Sequence, residues 1–96
     1  MNVSFSARHF EATDKLRSFA VKELARVKRF AEEKASGEII LEENGNLKMV
    51  ELRVSAFGRN LRAKADGPDF FKTIPKAVDK LEAQLKSTKS KLITRV

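Results

Sequence analysis

Residues 38–65 read EIILEENGNLKMVELRVSAFGRNLRAKA, and this stretch decides the fold. Apolar and polar side chains alternate along residues 47–56 and again after Gly58, as in strands that bury one face. A shorter strand over residues 38–43 precedes them. Asn44-Gly45 predicts a tight hairpin turn, because both residues tolerate a positive φ. The stretch therefore predicts an antiparallel meander of three strands.

A further strand is predicted at the start of the chain, where residues 2–7 alternate in the same way. The alternation also assigns the side of each strand that faces the core. The positions predicted to face inward are Val3, Phe5, Ala7, Val50, Leu52, Val54, Leu61, Ala63 and Ala65.

Two helices are predicted around the meander, over residues 13–33 and 70–92, each with an apolar stripe and a separate Lys/Arg stripe. Thr13 is expected to cap the first helix, and Ser36-Gly37 to end it. Residues 66–69 break the sheet and cap the second helix. Pro75 leaves two possibilities open: a kinked helix, or a separate turn over residues 69–72 with Thr73 capping the main helix.

The element order is therefore β-α-β-β-β-α, in an α+β two-layer sandwich. A right-handed crossover through the first helix makes the first two strands parallel. We expect a four-stranded sheet with both helices on one face and a polar, solvated opposite face. Residues 1–96 form one domain, in which residues from about 90 to 96 are expected to fray into a basic tail.

The charge balance predicts an anionic partner. The chain has 20 Lys and Arg against 13 Asp and Glu, for a net charge of +7. Residues 70–96 carry +5 and residues 47–65 carry +4, whereas residues 37–46 carry −3. The chain has no cysteine and no apolar run long enough for a membrane span, so a cytoplasmic protein without a membrane partner is expected.

Catalysis has no support in the sequence. His9 is the only histidine, there is no thiol, and the adjacent acids Glu32-Glu33 and Glu42-Glu43 point apart on either a helix or a strand. One histidine without cysteine excludes the usual Cys/His metal sites. We therefore expect a protein that is not an enzyme and that has no cofactor, no metal and no small-molecule substrate.

The basic stripes have two interpretations, an ordinary solvated face and a polyanion-binding surface, and the segregation of charge favours the second. Glu23 interrupts the first apolar stripe and is interpreted as a rim carboxylate paired with a lysine of the second helix. Base stacking on aromatics is disfavoured, because five of the seven phenylalanines occupy inward positions. Those five are Phe5, Phe19, Phe30, Phe70 and Phe71.

Residues 5–14, FSARHFEATD, followed by Leu16-Arg17, resemble the opening of the ribosome hibernation promoting factor / ribosome-associated inhibitor family, also called the sigma factor modulation protein family. Residues 74–85 and the segment LRAK at 61–64 are similar to later parts of the same family. The resemblance covers almost the whole chain in the right order. It implies the same β-α-β-β-β-α fold, similar to a double-stranded-RNA-binding domain.

The resemblance also implies binding to 16S rRNA in the mRNA/tRNA channel of the small ribosomal subunit, which stores ribosomes inactive under stress or in stationary phase. Lys80 and Lys86 match family positions that contact rRNA. The stripe argument adds Lys22, Arg26, Arg29, Lys76 and Lys89, and Arg8 and His9 are candidates for an additional contact.

Two departures from the family pattern bear on mechanism. Ala83 stands where the family often has Arg, which removes one expected phosphate contact. The chain ends at Val96 and so resembles a short form, which would need a separate ribosome-dimerising factor or would inactivate single ribosomes. A generic double-stranded-RNA-binding domain and a protein-interaction module for an acidic partner remain the alternatives.

Overall fold

The computed structural model describes the backbone of residues 1–94 and the side chains of residues 1–90. The strands are β1 (Asn2–Arg8), β2 (Ser36–Asn44), β3 (Leu47–Ala56) and β4 (Arg59–Gly67). The helices are α1 (Asp14–Leu24), a 3₁₀ helix that continues it (Ala25–Phe30), and α2 (Phe70–Thr94). Within these described residues, no helix is both long and apolar enough to cross a membrane.

The sheet confirms the predicted topology. Its strand order is β1-β2-β3-β4; β1 runs parallel to β2, and the other two pairings are antiparallel. One inward row runs straight across the four strands, with Phe5 opposite Ile39, Ile39 opposite Leu52, and Leu52 opposite Ala63. Both helices pack on this side of the sheet, because their buried residues belong to the same core cluster.

The hairpin turn lies one residue later than predicted. Asn44 pairs with Leu47, so the two turn residues are Gly45 and Asn46, with Gly45 at φ 62°. Gly rather than Asn therefore takes the position that needs a positive φ. The next turn consists of Phe57 and Gly58, at φ 55° and 70°.

The first helix is shorter than predicted. Thr13 caps it as expected, accepting the Leu16 N–H at 3.1 Å, but regular α-helix ends at Leu24 and the 3₁₀ helix ends at Phe30. The predicted stop at Ser36-Gly37 is wrong, since both residues begin β2. Gly37 is needed for close packing instead: a Cβ there would lie 3.1 Å from Leu24 Cδ2.

α2 runs as one helix through Pro75, so the alternative of a separate turn over residues 69–72 is wrong. Asp69 caps the helix as predicted, with its Oδ1 accepting the Phe71 N–H at 2.8 Å. Thr73 Oγ1 donates to the Asp69 carbonyl at 2.7 Å and is therefore not a cap for the residues after it. The side chains of the expected basic tail lie outside the described residues, and that expectation stays a prediction.

Of the two phenylalanines at the start of α2, both of which were predicted to face inward, only the first is buried. Phe70 is buried, at 6% exposed, and stacks on Phe10 with ring centroids 5.0 Å apart. Phe71, predicted to face inward, is 40% exposed. The helix begins at Phe70, and the inward stripe that starts there continues with Ile74 and Ala77, which leaves Phe71 at the side that faces α1.

Candidate nucleic-acid interface

α1 and its 3₁₀ continuation run beside α2 in the same direction, so that the two helices form one seam. Phe19 contacts Phe71 near the start of both helices, with ring centroids 5.1 Å apart. Phe30 and Lys86 meet near the far end, with the ammonium 4.9 Å from the ring centroid. The two predicted basic stripes therefore border a single surface rather than opposite sides of the molecule.

Arg26 joins the two helices through carboxylates. Its guanidinium lies 3.0 Å from Glu23 Oε1 on α1, and 2.8 Å from Asp79 Oδ1 on α2. The hydrogen bond to Asp79, followed by the one to Glu23, raises the pKa of Arg26 above its ordinary value. The prediction that Glu23 pairs with a lysine of the second helix is wrong: its partner is an arginine three residues further along.

Glu82 lies close to three cations of this region. Its carboxylate lies 3.3 Å from Lys86 Nζ, 3.5 Å from Arg26 and 4.0 Å from Arg29. Both Arg29 and Lys86 also lie over the ring of Phe30, at 4.7 and 4.9 Å. We call these paired groups the charge clamp: Glu23, Arg26, Arg29, Asp79, Glu82 and Lys86. Three cations balance three carboxylates, so the clamp carries no net charge.

Lys80, another predicted rRNA contact, lies on the opposite flank of α2. Its Nζ donates to the Lys64 carbonyl at 2.8 Å, and Gln84 one turn later donates to the Arg62 carbonyl at 2.7 Å. Both carbonyls belong to β4, one of the two edge strands of the sheet. These two side chains therefore cover an edge that could otherwise pair with another chain.

Four lysines without an ion-pair partner among residues 1–90 lie on the N-terminal half of the seam. Lys15 and Lys22 stand one helical turn before and after Phe19. Lys72 and Lys76 stand one turn apart on α2, beside Phe71. All four side chains are exposed, and none forms an ion pair with a carboxylate of residues 1–90. We call this group, Lys15, Lys22, Lys72 and Lys76, the lysine surface.

The other predicted contacts fall at the two ends of the helical layer. Lys89 is exposed and has no ion-pair partner among the described side chains, but it lies three turns beyond Lys76 on α2. Arg8 ends β1, and His9 follows in a turn at φ 67°. Since Phe10 stacks on Phe70, this turn lies beside the first turn of α2. Arg8 and His9 are thus at the same end of the molecule as the lysine surface.

The opposite face of the sheet is mostly polar, as predicted, but it includes Ile40, at 4% exposed, and half-buried Met49. Arg53, Arg62 and Lys64 converge on Glu51 at 2.5, 3.4 and 3.9 Å. Burial of Glu51 alone would raise its pKa, but the hydrogen bond from Arg53 and the neighbouring positive charges outweigh burial, so the pKa lies below its ordinary value of 4.5. These three cations are therefore paired with one carboxylate and are less available to bind an anionic partner.

Replacing Glu51 with Gln is expected to lower stability by less than about 1 kcal/mol at pH 7, because the ion network is solvent-exposed. The folded-state pKa of Glu51 is lowered, so its contribution is full above about pH 4.5 and is lost as the pH falls through the folded-state pKa. The difference in stability between the wild type and Glu51→Gln, measured by urea denaturation, should therefore shrink as the pH is lowered below 4.5. A difference in the free energy of unfolding that stays constant as the pH falls would contradict a lowered pKa of Glu51.

The charge clamp is what the sequence analysis missed. The pairs Glu23–Arg26 and Glu82–Lys86 stand three and four residues apart, a spacing that predicts contact on a helix. That signal could have identified these two pairs. The contact of Arg26 with Asp79 joins residues 53 apart and depends on how the two helices pack.

Comparisons with known proteins agree with the fold and extend over almost the whole chain. A profile of the family described as Sigma 54 modulation protein / S30EA ribosomal protein matches residues 3–93. The ribosome hibernation promoting factor of Pseudomonas putida is 31% identical over 91 residues, which cover 95% of this chain and 89% of that protein. The ribosome hibernation promoting factor of Azotobacter vinelandii is 27% identical over 95 residues, covering 99% and 89%.

Two solved structures share the architecture. The N-terminal domain of Thermus thermophilus Protein Y superposes with a TM-score of 0.84 at 30% identity, over 92% of this chain and 99% of that one. A ribosomal subunit interface protein from Coxiella burnetii superposes with a TM-score of 0.83 at 26% identity, over 94% and 99%. The chain therefore belongs to the Sigma 54 modulation protein / S30EA ribosomal protein family, as its resemblance over residues 5–14 and 74–85 predicted.

Proposed function

We propose that this protein is a cytoplasmic ribosome-binding factor that inhibits translation by occupying the mRNA/tRNA channel of the small subunit, and so keeps ribosomes inactive under stress or in stationary phase. Relatives named ribosome hibernation promoting factor and ribosomal subunit interface protein support the partner. The observation that carries the mechanism is the lysine surface, whose four lysines are exposed on the helical layer and have no ion pair with a carboxylate of residues 1–90.

The lysine surface suits the phosphates of 16S rRNA rather than the edges of its bases. Lysine ammonium groups act as point charges on phosphate, which positions a protein without reading sequence. The neutral charge clamp has a different part: by joining α1 and its continuation to α2, it fixes the spacing between Lys22 and Lys76. Binding in this mode needs no catalysis, cofactor or small-molecule substrate, and pairing of ribosomes would fall to a separate dimerising factor.

Sedimentation of purified ribosomes with the protein tests the proposal. We expect the protein to travel with small subunits and intact ribosomes at low salt. If the four lysines meet four phosphates, a fourfold rise in salt should weaken binding on the order of 100-fold. Co-sedimentation that does not change across the salt series would contradict binding through the lysine surface.

Competition separates the proposed function from the two alternatives. A short RNA duplex that displaces the protein from ribosomes at equal concentration would indicate a generic double-stranded-RNA-binding domain. Recovery of a protein partner that survives both nuclease treatment and high salt would indicate a protein-interaction module. We expect neither: the duplex should compete weakly, because it lacks the shape of the channel.

A further inference from the structure

Phe71 is unusual among the seven phenylalanines, because it is 40% exposed on the first turns of a helix that has an apolar core beneath it. It is not loose. Its ring packs against Phe19 with centroids 5.1 Å apart and an interplanar angle of 56°, and half-buried Pro75 stands one turn further along. Phe71 therefore presents an aromatic surface whose position the seam fixes.

The surroundings of Phe71 are cationic. Lys15 and Lys22 flank its partner Phe19, and Lys72 is its neighbour in the chain, whereas the carboxylate of Asp69 is held by the Phe71 N–H as the helix cap. The other exposed large apolar residues of the described part, Val21 and Leu47, have no ring. An exposed ring among unpaired ammonium groups complements a ligand that joins a planar aromatic group to an anionic chain. An unpaired nucleotide has this chemistry.

We propose that Phe71 is a stacking platform for one unpaired base of ribosomal RNA, with the lysine surface holding the phosphates on either side of that base. The inference rests on the proposed function and adds a contact that phosphate binding alone does not include. The sequence pattern placed Phe71 in the core and so argued against stacking; its exposure reverses that interpretation. Phe19 supports the ring from the protein side.

The first test separates the aromatic face from apolar bulk. Phe71→Leu keeps an apolar side chain against Phe19 but removes the ring, and we expect it to weaken ribosome binding about five- to tenfold, the low end of what stacking one base contributes. The slope of log affinity against log salt should not change, because no cation is removed. Phe71→Trp should bind at least as well as the wild type. Phe57→Leu, the same exchange in the turn at the opposite end of the sheet, should bind like the wild type.

The second test observes stacking directly. The chain has no tryptophan, so Phe71→Trp introduces a single fluorophore at the proposed contact. Its emission should be quenched when small ribosomal subunits are added, whereas a Phe57→Trp control, at the opposite end of the sheet, should not be quenched. With subunits at saturating concentration, the extent of quenching reports contact of the indole with a base and not the affinity.

The outcomes separate this inference from the proposed function. If the wild type sediments with ribosomes but Phe71→Leu binds equally well, stacking is overturned while ribosome binding stands. Blue-shifted, unquenched emission from Phe71→Trp would place the ring against ribosomal protein and would also overturn it. If the wild type fails to sediment at any salt, the proposed function itself fails.

Discussion

Exchanging both Lys22 and Lys76 for glutamate is expected to weaken ribosome binding on the order of 100-fold at 0.1 M salt. Each lysine that neutralises a phosphate contributes about 0.9 to the slope of log affinity against log salt, so removing two lowers the slope by about 1.8 and costs about 60-fold at that salt. Repulsion between the new carboxylates and rRNA adds to the loss. Sedimentation or filter binding across a salt series measures both the affinity and the slope.

Stability should barely change in the same variant. Both lysines are exposed and lie outside the charge clamp. Each new glutamate stands four residues before a cation, Arg26 or Lys80, which is a favourable orientation on a helix. We therefore expect the free energy of unfolding to stay within about 0.5 kcal/mol of the wild type. A large fall in the melting temperature would mean that these lysines are structural, and the loss of binding could not then be assigned to contact.

The matched control moves the same charge change to the other end of the molecule. Lys34 and Arg59 are exposed and, like Lys22 and Lys76, have no ion pair with a carboxylate among the described residues. Reversing both to glutamate alters the net charge by the same amount. If binding depends on the place of the charge, this control should lose much less affinity. Equal losses in the two variants would show that net charge alone attracts the protein to ribosomes.

The strands and their order were predictable because their information is local. The period-two alternation fixes which side of β3 and β4 is buried, and a crossover of one hand then fixes the parallel pairing of β1 with β2. Thr13 and Asp69 are caps whose chemistry acts within three or four residues. Features of this kind need no knowledge of how the two layers meet.

The errors concern contacts that form only when the layers pack. Ser36-Gly37 has the composition of a helix stop, but Gly37 serves the approach of Leu24 to the sheet. Phe71 follows helical spacing closely enough to suggest burial, yet the onset of α2 turns it toward α1. Likewise, the basic stripes are exposed as predicted. Spacing alone did not show that Arg26, Arg29 and Lys86 are paired with carboxylates of the charge clamp.

Leu81→Ala is expected to have the largest effect on stability. Leu81 lies in the middle of α2, fully buried among core residues from both layers. Truncating such a leucine costs about 2–5 kcal/mol, from lost transfer energy and the cavity that remains. In a chain of this size, each kcal/mol shifts the melting temperature by about 4–8 °C, so a fall of at least about 8 °C is expected. Calorimetry or thermal circular dichroism measures it.

Leu47→Ala is the control, because it makes the same chemical change at a side chain that is 41% exposed. It should cost less than about 1 kcal/mol, since most of that side chain is already in water. If Leu47→Ala destabilises as much as Leu81→Ala, the core does not lie where the packing of α2 on the sheet places it.

Binding by Leu81→Ala tests whether fold and interface are separate. A domain of this size is stabilised by about 5–14 kcal/mol, and even 2 kcal/mol of remaining stability keeps about 97% of chains folded at 25 °C. Ribosome affinity at that temperature should therefore stay within about twofold of the wild type, because the lysine surface is outside the core. The Lys22/Lys76 reversal should lower ribosome affinity and leave the free energy of unfolding nearly unchanged. Leu81→Ala should do the opposite. An affinity that falls with Leu81→Ala at a temperature where the protein remains folded would mean that the packing of α2 on the sheet sets the geometry of the lysine surface.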